Sequence, residues 1–249
     1  MLIILPPSET KAHGGTGAPL AWESLSFPEL NPIRSSIATE LAALDVDEAL
    51  QVLGISEALR PEAESNTQFF TSPTMPALDR FTGVLYDALD AASLDTAARS
   101  RLAVGDALFG LASADDMIPH YRLSGGTKLG GRTLKSRWGK AITESLAALA
   151  NAGQLIVDLR SGTYQQLGRF KPAVTVRVES VRPDGTRTVV SHFNKHYKGE
   201  LARALAQAPA DAASLNEVLD LTRAAGFTVE PPAPGINQIT MVVDPGATA

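Results

Sequence analysis

Short apolar runs bounded by turn residues predict the strands of this chain. Residues 2–5 are all apolar and end at Pro6-Pro7, which predicts a buried strand followed by a polar loop. Residues 154–159 form a similar run, and the run ending at Leu111 predicts a strand or a buried turn. Residues 173–182 alternate, and Pro183-Asp184-Gly185 leads into residues 186–193, which predicts a β-hairpin. Two closing strands are predicted at residues 227–230 and 236–243.

Apolar positions spaced three and four residues apart predict the helices. The predicted helices are residues 32–44, 46–53, 75–91, 95–102, 133–152, 195–208 and 214–225. Hairpins mixed with helices favour an α+β fold over a regular doubly wound sheet. We therefore expect a single domain over residues 1–249, with a mixed sheet and a helical subregion at about 31–103.

Length and composition are those of a folded water-soluble protein. The 249 residues are 44% hydrophobic and 20% charged, and there is no cysteine, which excludes disulfides and thiolate chemistry and fits a reducing compartment. The apolar start has no basic flank, so no signal peptide is expected. No stretch approaches the ~20 apolar residues that span a bilayer. We expect a cytoplasmic protein with no membrane partner.

Charge is distributed very unevenly along the chain. The net charge is −5 overall, but residues 1–116 carry −11, residues 117–177 carry +8 and residues 178–249 carry −2. Between Asp116 and Glu144 all the charged side chains are basic: Arg122, Lys128, Arg132, Lys135, Arg137 and Lys140. One interpretation is a solvated surface balanced by the acidic N-terminal half. The other is a basic cleft that attracts a polyanion.

The predicted helix at 133–152 helps to decide between a solvated surface and a basic cleft. It places Lys135, Arg137 and Lys140 in its first two turns, where cations are unfavourable by about 0.3–1 kcal/mol each. A bound anion would explain that placement, since helix N-termini favour anions.

A tight connection at Gly54 has the pattern of a helix-hairpin-helix element. Two helical pieces within residues 46–59 are joined at Leu53-Gly54-Ile55, and backbone N–H groups of the second helix could hold a phosphate. Any close helical connection could also use a glycine there, and Glu57, Glu62 and Glu64 would repel a phosphate.

No sequence motif declares a metal site, a cofactor or a catalytic mechanism. His192 and His196 are four residues apart, but the glutamate of the zinc-protease motif is missing, so both are interpreted as surface side chains. Neither Gly125-Gly126-Thr127-Lys128 nor Gly14-Gly15-Thr16-Gly17 fits a phosphate-binding loop. We therefore expect no metal and no cofactor.

Seven short motifs in order give the chain a family resemblance. They are Leu5-Pro6-Pro7-Ser8-Glu9-Thr10-Lys11, Phe81-Thr82-Gly83-Val84-Leu85-Tyr86, Leu108-Phe109-Gly110-Leu111, Asp116 with Tyr121-Arg122-Leu123, Trp138-Gly139, Leu159-Arg160-Ser161-Gly162-Thr163-Tyr164 with Lys171-Pro172, and Lys195-His196-Tyr197-Lys198-Gly199. Their order and spacing resemble the YaaA peroxide-stress family, also called UPF0246 or DUF328.

The resemblance implies a cytoplasmic stress-response protein. It implies the family's own α+β fold with a helix-hairpin-helix element, a basic cleft that binds double-stranded DNA, and an association with lowering free intracellular iron. The matching cleft positions are Ser8, Thr10, Lys11, Tyr121, Arg122, Ser161, Tyr164, Lys195, Lys198, Gly199 and Arg203.

Three functions remain open at this stage. In the first, DNA phosphates are bound by Lys11, Arg122, Lys128, Arg132, Lys135, Arg137, Lys140, Arg160, Lys171, Lys195, Lys198 and Arg203. In the second, the chain is an enzyme acting on a phosphate-bearing or nucleotide-like small molecule in the same cleft, where the candidate donors and possible general acid or base are Ser8, Lys11, Arg122, Ser161, Tyr164 and Lys195. The polar cleft candidates are Ser8, Thr10, Tyr121, Ser161 and Tyr164. In the third, the basic segment pairs with the acidic half of another copy.

Overall fold

The computed structural model describes residues 1–182, 185–190 and 193–243, and within them twelve strands. The Pro183-Asp184 turn and His192 lie outside the described residues. The strands are β1 (Leu2–Leu5), β2 (Met75–Pro76), β3 (Leu102–Val104), β4 (Ala112–Ser113), β5 (Met117–Ile118), β6 (Lys128–Leu129), β7 (Arg132–Thr133), β8 (Ile156–Asp158), β9 (Val174–Val181), β10 (Arg187–Val189), β11 (Thr228–Glu230) and β12 (Gln238–Val243).

One mixed sheet organises the fold around β1. Its order is β11-β12-β9-β8-β1-β3-β4, with β10 paired to β9. Neighbouring strands are parallel from β12 through β9, β8 and β1 to β3. The edge pairs β11–β12 and β3–β4 are antiparallel. Every residue of β1 is buried, as expected for a central parallel strand covered on both faces. The predicted α+β class is confirmed.

Eleven α-helices occur within the described residues. They are α1 (Asn31–Ala43), α2 (Val46–Leu53), α3 (Arg60–Thr67), α4 (Ala77–Arg80), α5 (Val84–Leu89), α6 (Thr96–Arg99), α7 (Leu134–Trp138), α8 (Ala141–Asn151), α9 (Gly162–Gln165), α10 (Asn194–Ala206) and α11 (Leu215–Ala224). The buried apolar residues other than Ala49 and Ala63 form one continuous cluster, so the sheet and most helices share a core. Gly199 lets α10 approach α5, because a Cβ there would lie 2.2 Å from the Leu85 oxygen.

Two predicted helices are each broken in two. The helix expected at 133–152 stops at Trp138 and resumes at Ala141, because Gly139 between them has φ +54°. The single helix predicted at 133–152 is therefore wrong: Lys135 and Arg137 lie in a separate five-residue helix, and Lys140 is the N-cap residue of the second helix. The helix expected at 75–91 is interrupted at Phe81, which pairs with Lys11 in an isolated β-bridge, and at Gly83 with φ +93°.

The Gly54 connection ends α2 in a left-handed turn. Gly54 has φ +64°, and its N–H donates to the Gln51 carbonyl oxygen. A 3₁₀ turn at Glu57–Leu59 then leads into α3. The helix-hairpin-helix identity of this segment stays a prediction. No helix within the described residues is long and apolar enough to cross a membrane.

Candidate functional site

Polar loops follow three neighbouring parallel strands at the same edge of the sheet. Residues 6–11 follow β1, residues 105–110 follow β3 and residues 159–161 follow β8. Ligand sites in sheets with parallel strands are found at the carboxyl ends of the strands, where successive loops diverge. A ligand site is therefore expected at this edge of the sheet.

Lys11 is the most unusual charged group at this edge. It is only 7% exposed, its Nζ lies 4.5 Å from the Tyr121 ring centroid, and it donates a 3.3 Å hydrogen bond to the Ser8 carbonyl oxygen. Burial lowers the pKa of Lys11 to about 8, while the negative charges of Asp106 and Glu9 oppose that shift. Lys11 is thus a cation that titrates near neutral pH, a property common at functional sites.

Asp106 is the buried carboxylate beside Lys11. It accepts hydrogen bonds from the Leu108 and Phe109 N–H groups at 2.6 and 2.7 Å and from the Tyr121 hydroxyl. Burial raises the pKa of Asp106, and burial also raises the pKa of Tyr121. These hydrogen bonds fix Asp106 and Tyr121, so the Tyr121 ring packs in a fixed position against the Lys11 ammonium.

Glu9 is joined to this group of residues through Arg122. Its carboxylate lies 2.8 Å from Arg122 Nη2, and Arg122 also donates to the Glu9 carbonyl oxygen at 2.7 Å. Tyr164 donates to Glu9 Oε1 at 3.4 Å. We call Glu9, Lys11, Asp106, Tyr121 and Arg122 the Lys11 crevice. The structure thereby brings together residues from two distant motifs, Tyr164 of a third motif beside them, and Asp106, which the sequence did not single out.

Ser8, Thr10 and Lys195 lie on the other side of the first loop. Ser8 donates to the Thr10 carbonyl oxygen at 2.5 Å and accepts from the Thr82 N–H at 3.1 Å, and the Thr82 hydroxyl donates to the Thr10 hydroxyl at 3.0 Å. Lys195 is exposed and lines a small cavity of about 150 Å³ with both residues. These hydroxyls hold the loop in place.

Arg160 and Lys198 donate hydrogen bonds to acceptors inside the protein. Arg160 is 2% exposed and donates to both Asp158 carboxylate oxygens at 2.9 Å and to the Gly168 carbonyl oxygen at 3.0 Å. Lys198 donates to the Leu159 carbonyl oxygen at 3.1 Å, and burial lowers its pKa. Ser161 is exposed and precedes α9 without capping it.

Two further predicted cations make structural contacts. Arg137 pairs with Glu40 and donates to the Leu129 carbonyl oxygen at 2.9 Å. Arg203 donates to the carbonyl oxygens of Leu89 and Asp90 at 2.9 and 3.1 Å, where α5 ends. Both guanidinium groups thus bind acceptors within the fold.

The remaining predicted cations lie on an exposed surface, together with one that the sequence analysis missed. We call this set the basic surface: Lys128, Arg132, Lys135, Lys140, Arg169 and Lys171. All six are exposed, and none forms an ion pair with another described residue. The exposed acid next to them in the chain is Glu144 in the first turn of α8.

Local contacts place parts of the basic surface near one another. Lys128 and Arg132 lie on the β6–β7 hairpin, and Arg132 donates to the Ser136 carbonyl oxygen of α7 at 3.4 Å. Thr143, in the first turn of α8, donates to the Arg169 carbonyl oxygen at 3.2 Å, which brings residues 169–171 beside Lys140. Arg169 was missed because it lies beyond the acid-free stretch at 122–140 and outside the matched family motifs, one of which contains Lys171.

A cluster of metal-binding residue types lies beside the crevice. His13, Glu62 and His120 each offer a ligand atom, and these atoms all lie within 4.8 Å of one another. Burial, followed by the charges of His13 and Lys11, lowers the pKa of His120 to about 4, so its imidazole is neutral at neutral pH. His196, considered earlier with His192, lies 3.3 Å from Glu200.

The mixed sheet, the crevice at its carboxyl edge and the basic surface define an α+β protein with two adjoining polar regions. Residues 1–233 match the family model described as "Peroxide stress protein YaaA", and the chain belongs to that family. The chain is similar to a UPF0246 protein of Corynebacterium glutamicum, with 60% identity over 248 residues, covering 98% of this chain and 100% of that one.

More distant relatives cover most of the chain as well. A UPF0246 protein of Streptomyces coelicolor is 43% identical over 244 residues, 94% of each chain. An uncharacterized protein of Campylobacter jejuni is 28% identical over 212 residues, 81% of this chain and 82% of that one. The family match over residues 1–233 spans both the crevice and the basic surface.

Proposed function

We propose that this peroxide-stress family member binds double-stranded DNA through the basic surface. The observation that carries the proposal is the run of six exposed, unpaired cations among the described residues, on a chain whose net charge is negative. Lys and Arg that neutralise phosphates release condensed counterions, and this release drives sequence-independent binding. The proposed setting is the cytoplasm during peroxide stress, and the proposed role includes the lower level of free iron implied by the resemblance.

Grooves at both ends of the basic surface support this proposal. Lys128 shares a groove of about 480 Å³ with the Gly54 turn, and Arg169 and Lys171 line another of about 390 Å³. The proposed contact thus runs from the predicted helix-hairpin-helix element to the start of β9. Arg137, Arg160 and Arg203 have no part in it, because their guanidinium groups bind internal acceptors.

Replacing Arg132, Lys135 and Lys140 together with Ala should weaken DNA binding strongly. At about 0.1 M salt, the loss of three phosphate contacts is expected to lower the affinity on the order of 10²-fold. Fluorescence anisotropy with a labelled duplex of mixed sequence measures this change. Folding should be unaffected, because all three side chains are exposed.

The matched control removes the same charge elsewhere. Arg177, Arg187 and Arg223 each form a surface ion pair, with Glu179, Glu230 and Asp220 respectively. Replacing these three with Ala should change the affinity by less than about threefold, since distant charges are screened. Equal losses in the two triple variants would mean that net charge, and not the basic surface, controls binding.

The Lys11 crevice favours a second candidate function, the binding of a small phosphate-bearing molecule. Its specific support is a buried ammonium at the carboxyl ends of parallel strands, with Arg122 beside it. An anion there would interact with the Lys11 ammonium in a partly desolvated space, and it would reach Arg122 by displacing the Glu9 carboxylate. An enzyme that acts on a nucleotide-like substrate would need such a group to hold the phosphate.

A titration of Lys11 tests the second candidate. Followed by NMR of the labelled side chain, Lys11 should lose its proton with a midpoint near its lowered pKa of about 8. Added pyrophosphate should raise this midpoint towards the ordinary value, because an anion favours the charged form. A midpoint that pyrophosphate leaves unchanged would exclude phosphate binding in the crevice. The spectrum of a Lys11→Met variant, which lacks the Lys11 signal, identifies the Lys11 resonance.

A further inference from the structure

His13, Glu62 and His120 come from three separate parts of the chain and meet beside the Lys11 crevice. His13 follows the first loop, Glu62 lies on α3, and His120 follows β5. His13 Nε2 lies 3.7 Å from Glu62 Oε1, and His120 Nε2 lies 3.6 Å from Glu62 Oε2. Ligand atoms of a tetrahedral ion with bonds of 2.0–2.2 Å are about 3.3–3.6 Å apart. These two separations are therefore close to those of a coordination shell, and the three ligand atoms all lie within 4.8 Å of one another.

The hydrogen bonds of Ser65 fix the protonation of His120. The Ser65 hydroxyl has one proton, and it donates that proton to the Glu62 carbonyl oxygen at 2.7 Å. Ser65 Oγ therefore accepts at its 3.1 Å contact with His120 Nδ1, which must carry the imidazole proton. His120 Nε2 is left with a lone pair that points towards the cluster.

Two buried acceptor atoms consequently face each other. His120 Nε2 and Glu62 Oε2 are both buried, and neither has a hydrogen-bond partner among the described residues. The His120 side chain is only 7% exposed. Buried polar atoms are nearly always satisfied, and two acceptors can be satisfied together by a cation between them.

The surrounding structure holds the backbone segments that carry the three residues in place. Arg80 donates to the carbonyl oxygens of Ala12 at 2.6 Å and Ile118 at 3.1 Å, so one buried guanidinium ties the segments that carry both histidines. Asn66, one turn after Glu62, exchanges hydrogen bonds with the Arg122 backbone at 2.8 and 3.0 Å. Preorganised ligands of this kind lower the cost of binding an ion.

The geometry points to a metal site: we propose that His13, Glu62 and His120 bind one divalent first-row transition-metal ion such as Zn(II) or Fe(II). Two imidazoles and one carboxylate form a ligand set typical of these ions and leave coordination positions open. Ser65 orients His120 from behind, as the partners of metal-bound histidines usually do. His13 is 72% exposed, so its ring, now stacked on His120, can adjust to the ion, and the ion can enter from solvent.

Calorimetric titration of the chelator-treated protein with Zn(II) tests this site directly. The expected result is one tightly bound ion per chain, and His13→Ala, Glu62→Gln and His120→Asn should each weaken binding at least tenfold. Co(II) should give the visible absorption bands of a nitrogen- and oxygen-ligated ion, and anaerobic Fe(II) should compete with Zn(II). Mg(II) should not compete, because it prefers oxygen ligands.

The control is His196→Ala, which removes a histidine that has its own nearby carboxylate in Glu200. This variant should bind Zn(II) like the unaltered protein. His13→Ala keeps the test decisive if the buried His120 variant fails to fold, because the His13 side chain is exposed. Absence of a stoichiometric ion, equal binding by His13→Ala, or an equal loss in His196→Ala would each overturn the proposal.

Discussion

Asp158→Asn should destabilise the protein by about 3–5 kcal/mol, the usual cost of removing one partner from a buried ion pair. Asp158 and Arg160 are 3% and 2% exposed, and the carboxylate accepts two charge-assisted bonds from the guanidinium at 2.9 Å. An asparagine amide would place an N–H group where Arg160 needs an acceptor. Urea unfolding followed by circular dichroism measures the change in the free energy of unfolding.

Two further variants decide whether the buried pair is the cause. Asp220→Asn removes one partner of an exposed pair, whose Asp220 side chain is 74% exposed, and should cost less than about 1 kcal/mol. Asp158→Leu combined with Arg160→Met removes both buried charges and should be less damaging than Asp158→Asn. A loss below about 1 kcal/mol for Asp158→Asn would contradict the assigned structural role of Arg160.

This pair also explains local features of the crevice edge. A Cβ at Gly105 would lie 2.3 Å from Arg160 Cδ, so the absence of a side chain there makes room for the arginine. Arg160 in turn donates to the Gly168 carbonyl oxygen and orders the turn that carries Arg169. The buried pair therefore connects the end of β8 to the basic surface.

Local signals in the sequence predicted the elements whose limits are set locally. The strand Leu2–Leu5 and the helix Val46–Leu53 were predicted with their observed bounds, because apolar spacing, Pro6 and Gly54 mark their ends. The helix predicted at 75–91 was wrong because Phe81 pairs with Lys11, a residue far away in sequence. Such long-range pairing overrides local helical periodicity.

The candidate site was predictable only in part, for the same reason. Charge distribution located Lys128, Arg132, Lys135 and Lys140, since exposed charges need no tertiary partner, and the family resemblance added Lys171. Charge distribution could not separate the exposed cations from one that finds a distant acceptor, as Arg137 does in Glu40. His13, Glu62 and His120 follow no spacing motif, because the three residues come from separate segments that only the fold brings together.

The salt dependence of DNA binding tests the central claim most directly. If the six cations of the basic surface each neutralise one phosphate, a plot of log K against log salt concentration should have a slope of about −5. The affinity of the unaltered protein should then fall about 10³-fold between 50 and 200 mM salt. Replacing Arg132, Lys135 and Lys140 with Ala should make the slope shallower by about 3. A slope between 0 and −1 for the unaltered protein, or the same slope for both proteins, would contradict the account.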